Sequence, residues 1–446
     1  MRFLCRSTIL TCLFPLALLG CENSEIPVHP TTAPVTYREA DEVKASLTYL
    51  ASDQLEGRGL ETQGIYKAAD FIATQFRADG LTTLPGLNGY FQTFPIKLEK
   101  RSTAATAPST NEAVASEEKS FSNIVACLPG AGKHRDEFVV VGAHYDHLGR
   151  GEYGTLAHHS RQIHNGADDN GSGTAAILEL AEELSRQGDL DRSVVFVAFV
   201  GEERGLLGSA YFVSHPPVPL DKIVAMVNLD MVGRVRDNVL YVGGNGTAKD
   251  FDRVVIDADR ASPLIVRNAG VEVGGRGGIG PSDHMSFALK HIPVIFFWSG
   301  MHADYHRPTD KADKINFVGI AEVVDFTQSV IEQLASMPRE QYVDSYDHSM
   351  GAANSLKVRL GILPDYNSDP TIAGVRVAGT LADSPAAKAG VLDNDLIVGI
   401  DSDKVASLGD YMTVLAKHKP GDVVKIVVQR DKQNVELPAT LGGPKS

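Results

Sequence analysis

The chain has little cysteine. Of four cysteines in 446 residues, Cys5, Cys12 and Cys21 fall in the first 21 positions. Cys127 is left alone in the body of the chain, so no disulfide can staple the fold. It sits in the apolar run Ile124-Val125-Ala126-Cys127-Leu128 and reads as a buried structural thiol. Basic residues are also scarce: 42 Lys and Arg stand against 56 Asp and Glu, a net charge of -14. That balance excludes a nucleic-acid partner, which needs a basic face. No apolar run is long enough to be a transmembrane helix. The longest, residues 10–19, is too short to span a bilayer. No internal repeat of solenoid period is present. At this length two domains are expected.

The N-terminus carries Arg2 and Arg6 before the apolar run, which ends in Leu18-Leu19-Gly20-Cys21. This resembles the lipobox of bacterial lipoproteins. The resemblance implies a signal peptide over residues 1–20 and lipidation at Cys21, so that the membrane is met only through a lipid anchor. Glu22 follows rather than Asp, which implies the periplasmic face of the outer membrane. Residues 21–36 are rich in Pro and Thr and read as a tether.

From residue 39 the pattern turns helical, and again over residues 68–76. Residues 101–120 are rich in Ser, Thr, Ala and Glu and read as an exposed loop or disorder. Then short continuous apolar runs alternate with helical segments. The runs are 138–143, 194–200, 223–229, 239–242 and 294–298. Helices are expected over 173–185 and 318–334. Continuous rather than alternating apolar runs mean strands covered on both faces. The fold class is therefore α/β: a three-layer α/β/α domain with a mostly parallel central sheet, over residues 37–340. A break in composition near 338–352 separates a small β-rich C-terminal domain, residues 353–446.

Four of these runs lead, at once or within a few residues, into polar residues that can bind metal. His144-Tyr145-Asp146 follows the first, Glu202-Glu203 the second, Asp230 the third and Tyr305-His306 the last; Asp168-Asp169 precedes the helix at 173. Open α/β sheets bind ligands beyond the carboxyl ends of their strands, so these residues should converge. Taken singly, each has an ordinary reading as a loop histidine or a helix-start acid. Five such placements together do not. His and carboxylate donors without Cys suit a catalytic zinc site with an open position.

The motifs Gly142-Ala143-His144-Tyr145-Asp146, Gly166-Ala167-Asp168-Asp169-Asn170-Gly171-Ser172-Gly173, Gly201-Glu202-Glu203-Arg204-Gly205, Asn228-Leu229-Asp230-Met231, Ser282-Asp283-His284 and Tyr305-His306-Arg307-Pro308-Thr309-Asp310 resemble the co-catalytic di-zinc aminopeptidases. Leu50-Ala51-Ser52-Asp53-Gln54-Leu55-Glu56-Gly57-Arg58-Gly59 is similar to their bacterial members. That family is related to glutamate carboxypeptidase and to glutaminyl cyclase. The resemblance implies two Zn²⁺ per chain. It places His144 and Asp230 on one ion, Glu203 and His306 on the other, and Asp168 between them with a cis peptide to Asp169. It makes Glu202 the general base and acid, Asp146 the group that orients His144, and Tyr305 an oxyanion donor. The implied substrates are peptides with a free N-terminus. Two other readings are a glutaminyl cyclase and an inactive peptide-binding homologue; carboxypeptidase action is a third within the peptidase class. One departure is Pro281, where some members carry an arginine before Ser-Asp-His. His158 and His159, in the insert 148–162, read as solvated rather than as ligands.

The C-terminal segment resembles a PDZ domain of the bacterial protease type. The residues that carry this are Arg359-Leu360-Gly361-Ile362, Ser384-Pro385-Ala386-Ala387-Lys388-Ala389-Gly390-Val391 and Asp395-Leu396-Ile397-Val398-Gly399-Ile400. Ser384 as N-cap, Pro385 at the first helical position and Gly390 at the end punctuate a short helix. A second helix is expected over 410–418. The resemblance implies that Leu360, Gly361 and Ile362 receive peptide C-termini or extended segments by β-addition.

Overall fold

The computed structural model describes residues 37–99, 116–157, 161–260, 262–268, 282–343, 358–364, 372–380, 384–406 and 408–443. Cys21, His158, His159 and Pro281 lie outside them. The chain opens with helices α1 (Tyr37–Leu50) and α2 (Gly64–Ala78), then strands β1 (Phe91–Glu99), β2 (Ser116–Leu128) and β3 (Phe138–His144). Next come α3 (Gly173–Gln187), β4 (Ser193–Phe199), α4 (Leu207–Ser214), β5 (Ile223–Leu229), β6 (Val239–Gly243) and α5 (Phe251–Asp259). The unit closes with β7 (Ile265–Asn268), α6 (His284–Ala288), β8 (Val294–Trp298) and α7 (Phe317–Ser336).

These strands form one eight-stranded sheet in the order β1-β2-β4-β3-β5-β8-β6-β7. β4, β3, β5 and β8 run parallel at its centre. β2 joins antiparallel to β4, and β6 antiparallel to β8. All seven residues of β4 and of β5 are buried, as continuous apolar runs require. The pleat sends successive side chains to opposite cores. Val139 and Val141 of β3 join the core shared with α1, α2, α3, α5 and α7. Val140 joins the other, with Phe212 of α4 and Phe287 of α6. Each fully buried Val or Phe contributes roughly 1.5–3 kcal/mol, so the central strands are held firmly from both faces. Helix α7 starts where Asn316 accepts the Gly319 amide with its side chain.

The loop expected over 101–120 is corrected in part. Residues 116–120 belong to β2, which pairs with β1 from Ser116 to Ile124. Ser116 to Ser120 carry no apolar alternation of their own, and it is the partner strand that recruits them. β1 has a clean period of two: Phe94, Ile96 and Leu98 are buried, Thr93, Pro95 and Lys97 exposed. The pattern suits an amphipathic strand at a sheet edge.

A second, separate core lies between Val358 and Leu441. Its sheet runs β14-β13-β11-β10-β9, where β9 is Ile362–Pro364, β10 Val375–Thr380, β11 Leu396–Ile400, β13 Val423–Arg430 and β14 Gln433–Thr440. The short strand β12 (Asp403–Lys404) pairs with β11. The helix Pro385–Ala389 has the caps its sequence calls for: Ser384 Oγ accepts the Ala387 amide, and Gly390 takes φ 83°. Gly361 has φ 79°, and a Cβ there would lie 2.4 Å from that of Ser384, so glycine is required. Leu360 and Ile362 point into this core, while β9 itself is the terminal strand of the sheet. The second helix spans Leu408–Leu415, starting two and ending three residues before the expected 410–418.

Candidate metal centre

The predicted convergence occurs. β3 ends in His144, β4 is followed by Glu202 and Glu203, β5 by Asp230, and the loop after β8 carries His306. His144 Nε2 lies 3.3 Å from Asp230 Oδ1 and 3.3 Å from Asp169 Oδ1. His306 Nε2 lies 3.2 Å from Asp169 Oδ2 and 3.1 Å from Glu203 Oε2. One carboxylate, that of Asp169, therefore faces both halves of the cluster.

This corrects the expectation for Asp168. Its carboxylate accepts the Gly233 amide at 2.6 Å and faces His302 Nε2 at 3.0 Å, away from His144. The cis peptide likewise falls one bond later, between Asp169 and Asn170. The reason is the course of the loop Ala167–Ser172. Asp310 Oδ2 accepts both the Asp168 and the Asp169 amides, at 2.9 and 3.1 Å. With the two amides turned to one acceptor, the two side chains leave the backbone in different directions. Two adjacent aspartates look alike in a sequence, but only one can reach the cluster.

The role of Asp146 also changes in detail. Its carboxylate stands 3.8 Å from His144 Nδ1, beyond hydrogen-bond reach, while its backbone carbonyl accepts from that nitrogen at 3.1 Å. The carboxylate accepts the Glu202 amide instead, at 3.2 Å. It thus fixes the turn that presents the two glutamates. Burial lifts its pKa to about 6, with His144 opposing the rise.

His147 and His302 were not singled out by their sequence context. His147 Nδ1 meets Glu203 Oε1 at 2.8 Å, so Glu203 is gripped by one histidine on each oxygen. Both His147 and His306 are therefore near the second half of the cluster. His306 has the arrangement of a ligand: its Nδ1 is tied to the Gly154 carbonyl at 2.9 Å, leaving Nε2 for the carboxylates. The sequence held a faint signal for His147, the third residue after His144 in one short motif. Arg58, in the motif over residues 50–59, has a structural role. It is fully buried, and its guanidinium donates to the carbonyls of Leu50, Tyr145, Asn165 and Gly166. Burial lowers its pKa to about 10, against the pull of Asp169 and Asp146. It pins the loops after β3 and before α3 together beneath the cluster.

The electrostatics are those of an anionic pocket. Burial raises the Glu202 carboxyl well above its ordinary range. His144 opposes this, and Glu203, Asp230 and Asp283 add to it. Glu203 goes the other way, to about 2: burial is outweighed by His306 and His147. Asp283 is raised to about 7 by burial. Ser282, beside it, donates to Asp230 Oδ2 at 2.8 Å. Tyr305 stacks on His306, with ring centroids 3.9 Å apart, and burial with the nearby carboxylates keeps its phenol protonated. Asp169 Oδ2 and Asp230 Oδ1 are buried without a hydrogen bond. Buried carboxylate oxygens facing histidine nitrogens, with no sulfur in the set, fit a divalent cation of the zinc type.

Residues 123–331 match the model of peptidase family M28. Residues 358–441 match the PDZ domain. Together they point to an enzyme that acts on peptides, with a PDZ module appended. The M28-like segment begins inside β2 and ends inside α7, so it contains every residue of the cluster. Among curated relatives, leucine aminopeptidase 1 of Arthroderma otae is 26% identical over 321 residues, 68% of this chain and 79% of the relative. A zinc aminopeptidase structure from Bacillus subtilis overlays with TM-score 0.49 at 18% identity, covering 70% of this chain and 100% of that one. A glutaminyl cyclase structure from Porphyromonas gingivalis overlays with TM-score 0.49 at 19% identity, covering 66% and 98%.

Proposed function

We propose that the chain is a zinc-dependent aminopeptidase that removes residues from the free N-terminus of peptides. The observation that carries this is the Asp169 carboxylate, with one oxygen towards His144 and the other towards His306. His144, Asp169 and Asp230 would hold one zinc ion; Asp169, Glu203 and His306 would hold the second. When bound, such ions lower the pKa of a water towards ~7 and polarise the scissile carbonyl. Glu202 stands beside both halves without being part of either set of ligands. Its carboxylate takes the proton of the attacking water and returns it to the departing amine. Tyr305 offers its phenol O–H to the oxyanion. Asp146 holds the Glu202 amide, and so the angle at which that carboxylate enters the site.

The same reading takes Cys21 as a lipid site that tethers the enzyme to the periplasmic face of the outer membrane. It gives the PDZ-like module an edge, β9, at which peptide C-termini or extended segments add as a further strand.

Digestion of a peptide library, half with free and half with acetylated N-termini, tests the activity on zinc-loaded protein. Stepwise loss of residues from the free half alone is expected. Cleavage of both halves would replace this reading with another peptidase specificity. Cyclisation of N-terminal Gln peptides without hydrolysis would replace it with a glutaminyl cyclase. Membrane fractionation and mass analysis of Cys21→Ser beside the native chain test the anchor. An unchanged fractionation and no added mass on the native chain would remove it.

A further inference from the structure

A groove of about 430 Å³ opens between β1 and α4. Phe94, Ile96 and Leu98 of β1 form one wall; Leu207, Ala210 and Tyr211 of α4 form the other. Phe94 and Tyr211 stack with centroids 4.3 Å apart, which ties strand and helix to each other. Tyr153 and Arg204 also line the groove, with the guanidinium 4.3 Å from the ring centroid.

The groove flanks the metal centre: two of its lining residues adjoin residues of the cluster or its supports along the chain. Arg204 directly follows Glu203, and Tyr153 directly precedes Gly154, whose carbonyl holds His306. Gly201, the residue before Glu202, is so close that a Cβ on it would lie 3.2 Å from Leu207 and 3.5 Å from Ile96. The apolar walls therefore begin beside the residue that precedes the two glutamates of the cluster.

Length decides what can occupy it. Extended backbone from Phe94 to Leu98 covers roughly 13 Å, enough to lie along three or four peptide residues. An enzyme that takes single residues from the N-terminus has one residue ahead of the scissile bond. A groove of this length leading away from the site can hold only what lies after that bond. Its lining is mostly apolar, with Lys97, Arg204 and Ser214 as the polar members, so it fits large apolar side chains. We propose that the β1–α4 groove binds the leaving-group side of the substrate and favours peptides with bulky apolar residues in the positions just after the cleaved bond. The inference rests on the aminopeptidase reading above.

The test compares leucine p-nitroanilide with two pentapeptides beginning in Leu, one continuing in Phe and Leu, the other in Gly and Ser. The readout is the ratio of kcat/KM for each pentapeptide to that for the anilide. The zinc-loaded full chain should show a higher ratio for the apolar peptide. Ala210→Trp and Ser214→Trp place a large ring in the groove from exposed positions on α4. Each should lower the apolar ratio about tenfold or more, mainly through KM, and leave the Gly/Ser ratio nearly unmoved. Activity on all three substrates with ratios that neither variant moves would overturn the groove while leaving the aminopeptidase standing. No hydrolysis of any of them by the native chain would sink both.

Discussion

In the C-terminal sheet the carboxylate of Asp395, 1% exposed, is closed off by Arg430, which donates to its two oxygens at 2.8 and 2.7 Å. The Leu392 amide adds a third bond. Beyond β3, β4 and β5 the situation is reversed. Asp146, Asp169, Glu203, Asp230 and Asp283 crowd together with Glu202, and burial with mutual repulsion pushes Asp146 to about 6, Asp283 to about 7 and Glu202 well above its ordinary range. A buried charge with a close partner is an ordinary structural device. A crowd of buried carboxylates that repel one another is destabilising in itself, and a fold carries it where a bound cation relieves the repulsion. The first pattern belongs to a module held together by packing, and the second to a site prepared for metal.

The largest effect should come from removing the shared carboxylate. Asp169→Asn should lose both zinc ions and all measurable turnover. Asp168→Asn, which alters only the contacts to Gly233 and His302, should cost roughly 10–100-fold. Metal analysis with anilide kinetics on both variants checks this. If Asp168→Asn sheds the metal and Asp169→Asn keeps it, the assignment is inverted.

Next in size is Glu202→Gln. It should keep about two zinc ions while kcat falls roughly 10²–10⁴-fold with little change in KM. Its neighbour Glu203→Gln should lose one ion and with it some thermal stability. A Glu202→Gln enzyme with full turnover would break the claim that this cluster does the chemistry.

The C-terminal pair predicts a smaller effect of another kind. Arg430→Met leaves Asp395 buried without its cation and should destabilise that module by about 2 kcal/mol, a figure reduced because the Arg430 side chain is 29% exposed. Calorimetry should show the loss in the module's own transition, with zinc content unchanged. A fall in zinc content would mean that the two regions are not independent in the way their separate cores imply.

The smallest effect concerns Glu179 on α3. Burial, with Glu183, Glu42 and Glu182 nearby, raises its carboxyl to about 8. A carboxyl whose folded pKa is raised contributes stability below its unfolded value that is lost as pH rises through the folded one. The window therefore runs from about pH 4.5 to about pH 8. Glu179→Gln should flatten the dependence of Tm on pH across that window and raise Tm by a few degrees near pH 9. Parallel Tm–pH curves for the two proteins would show that Glu179 does not carry this charge.

Much of the architecture could be read from composition along the chain. β3, β4, β5 and β8 announce themselves as unbroken Val, Ile and Phe runs, because a strand covered on both faces has no polar side. β1 and the first residues of β2 do not, because an edge strand is half polar and its partner residues 116–120 are wholly so. The short helices α4 and α6 went unread for a similar reason: they are one or two turns, too brief to show a period.

At the candidate site, the sequence by itself determined which strand ends would meet and that His and carboxylate donors would be waiting there. An apolar run stops where its buried strand stops, and the next polar residue must face the crevice. Choices between near-identical neighbours were left to the tertiary structure. Asp169 rather than Asp168 turns to the cluster because Asp310, more than 140 positions away, takes both of their amides. His147 joins Glu203, and Arg58 gathers four carbonyls beneath them, through contacts that span 56 to 108 positions for all but the bond to Leu50. Strand burial is a local property of residue type and can be read one residue at a time. The direction in which a loop side chain points is set by whichever distant group satisfies its backbone, and only the folded chain brings that group into place.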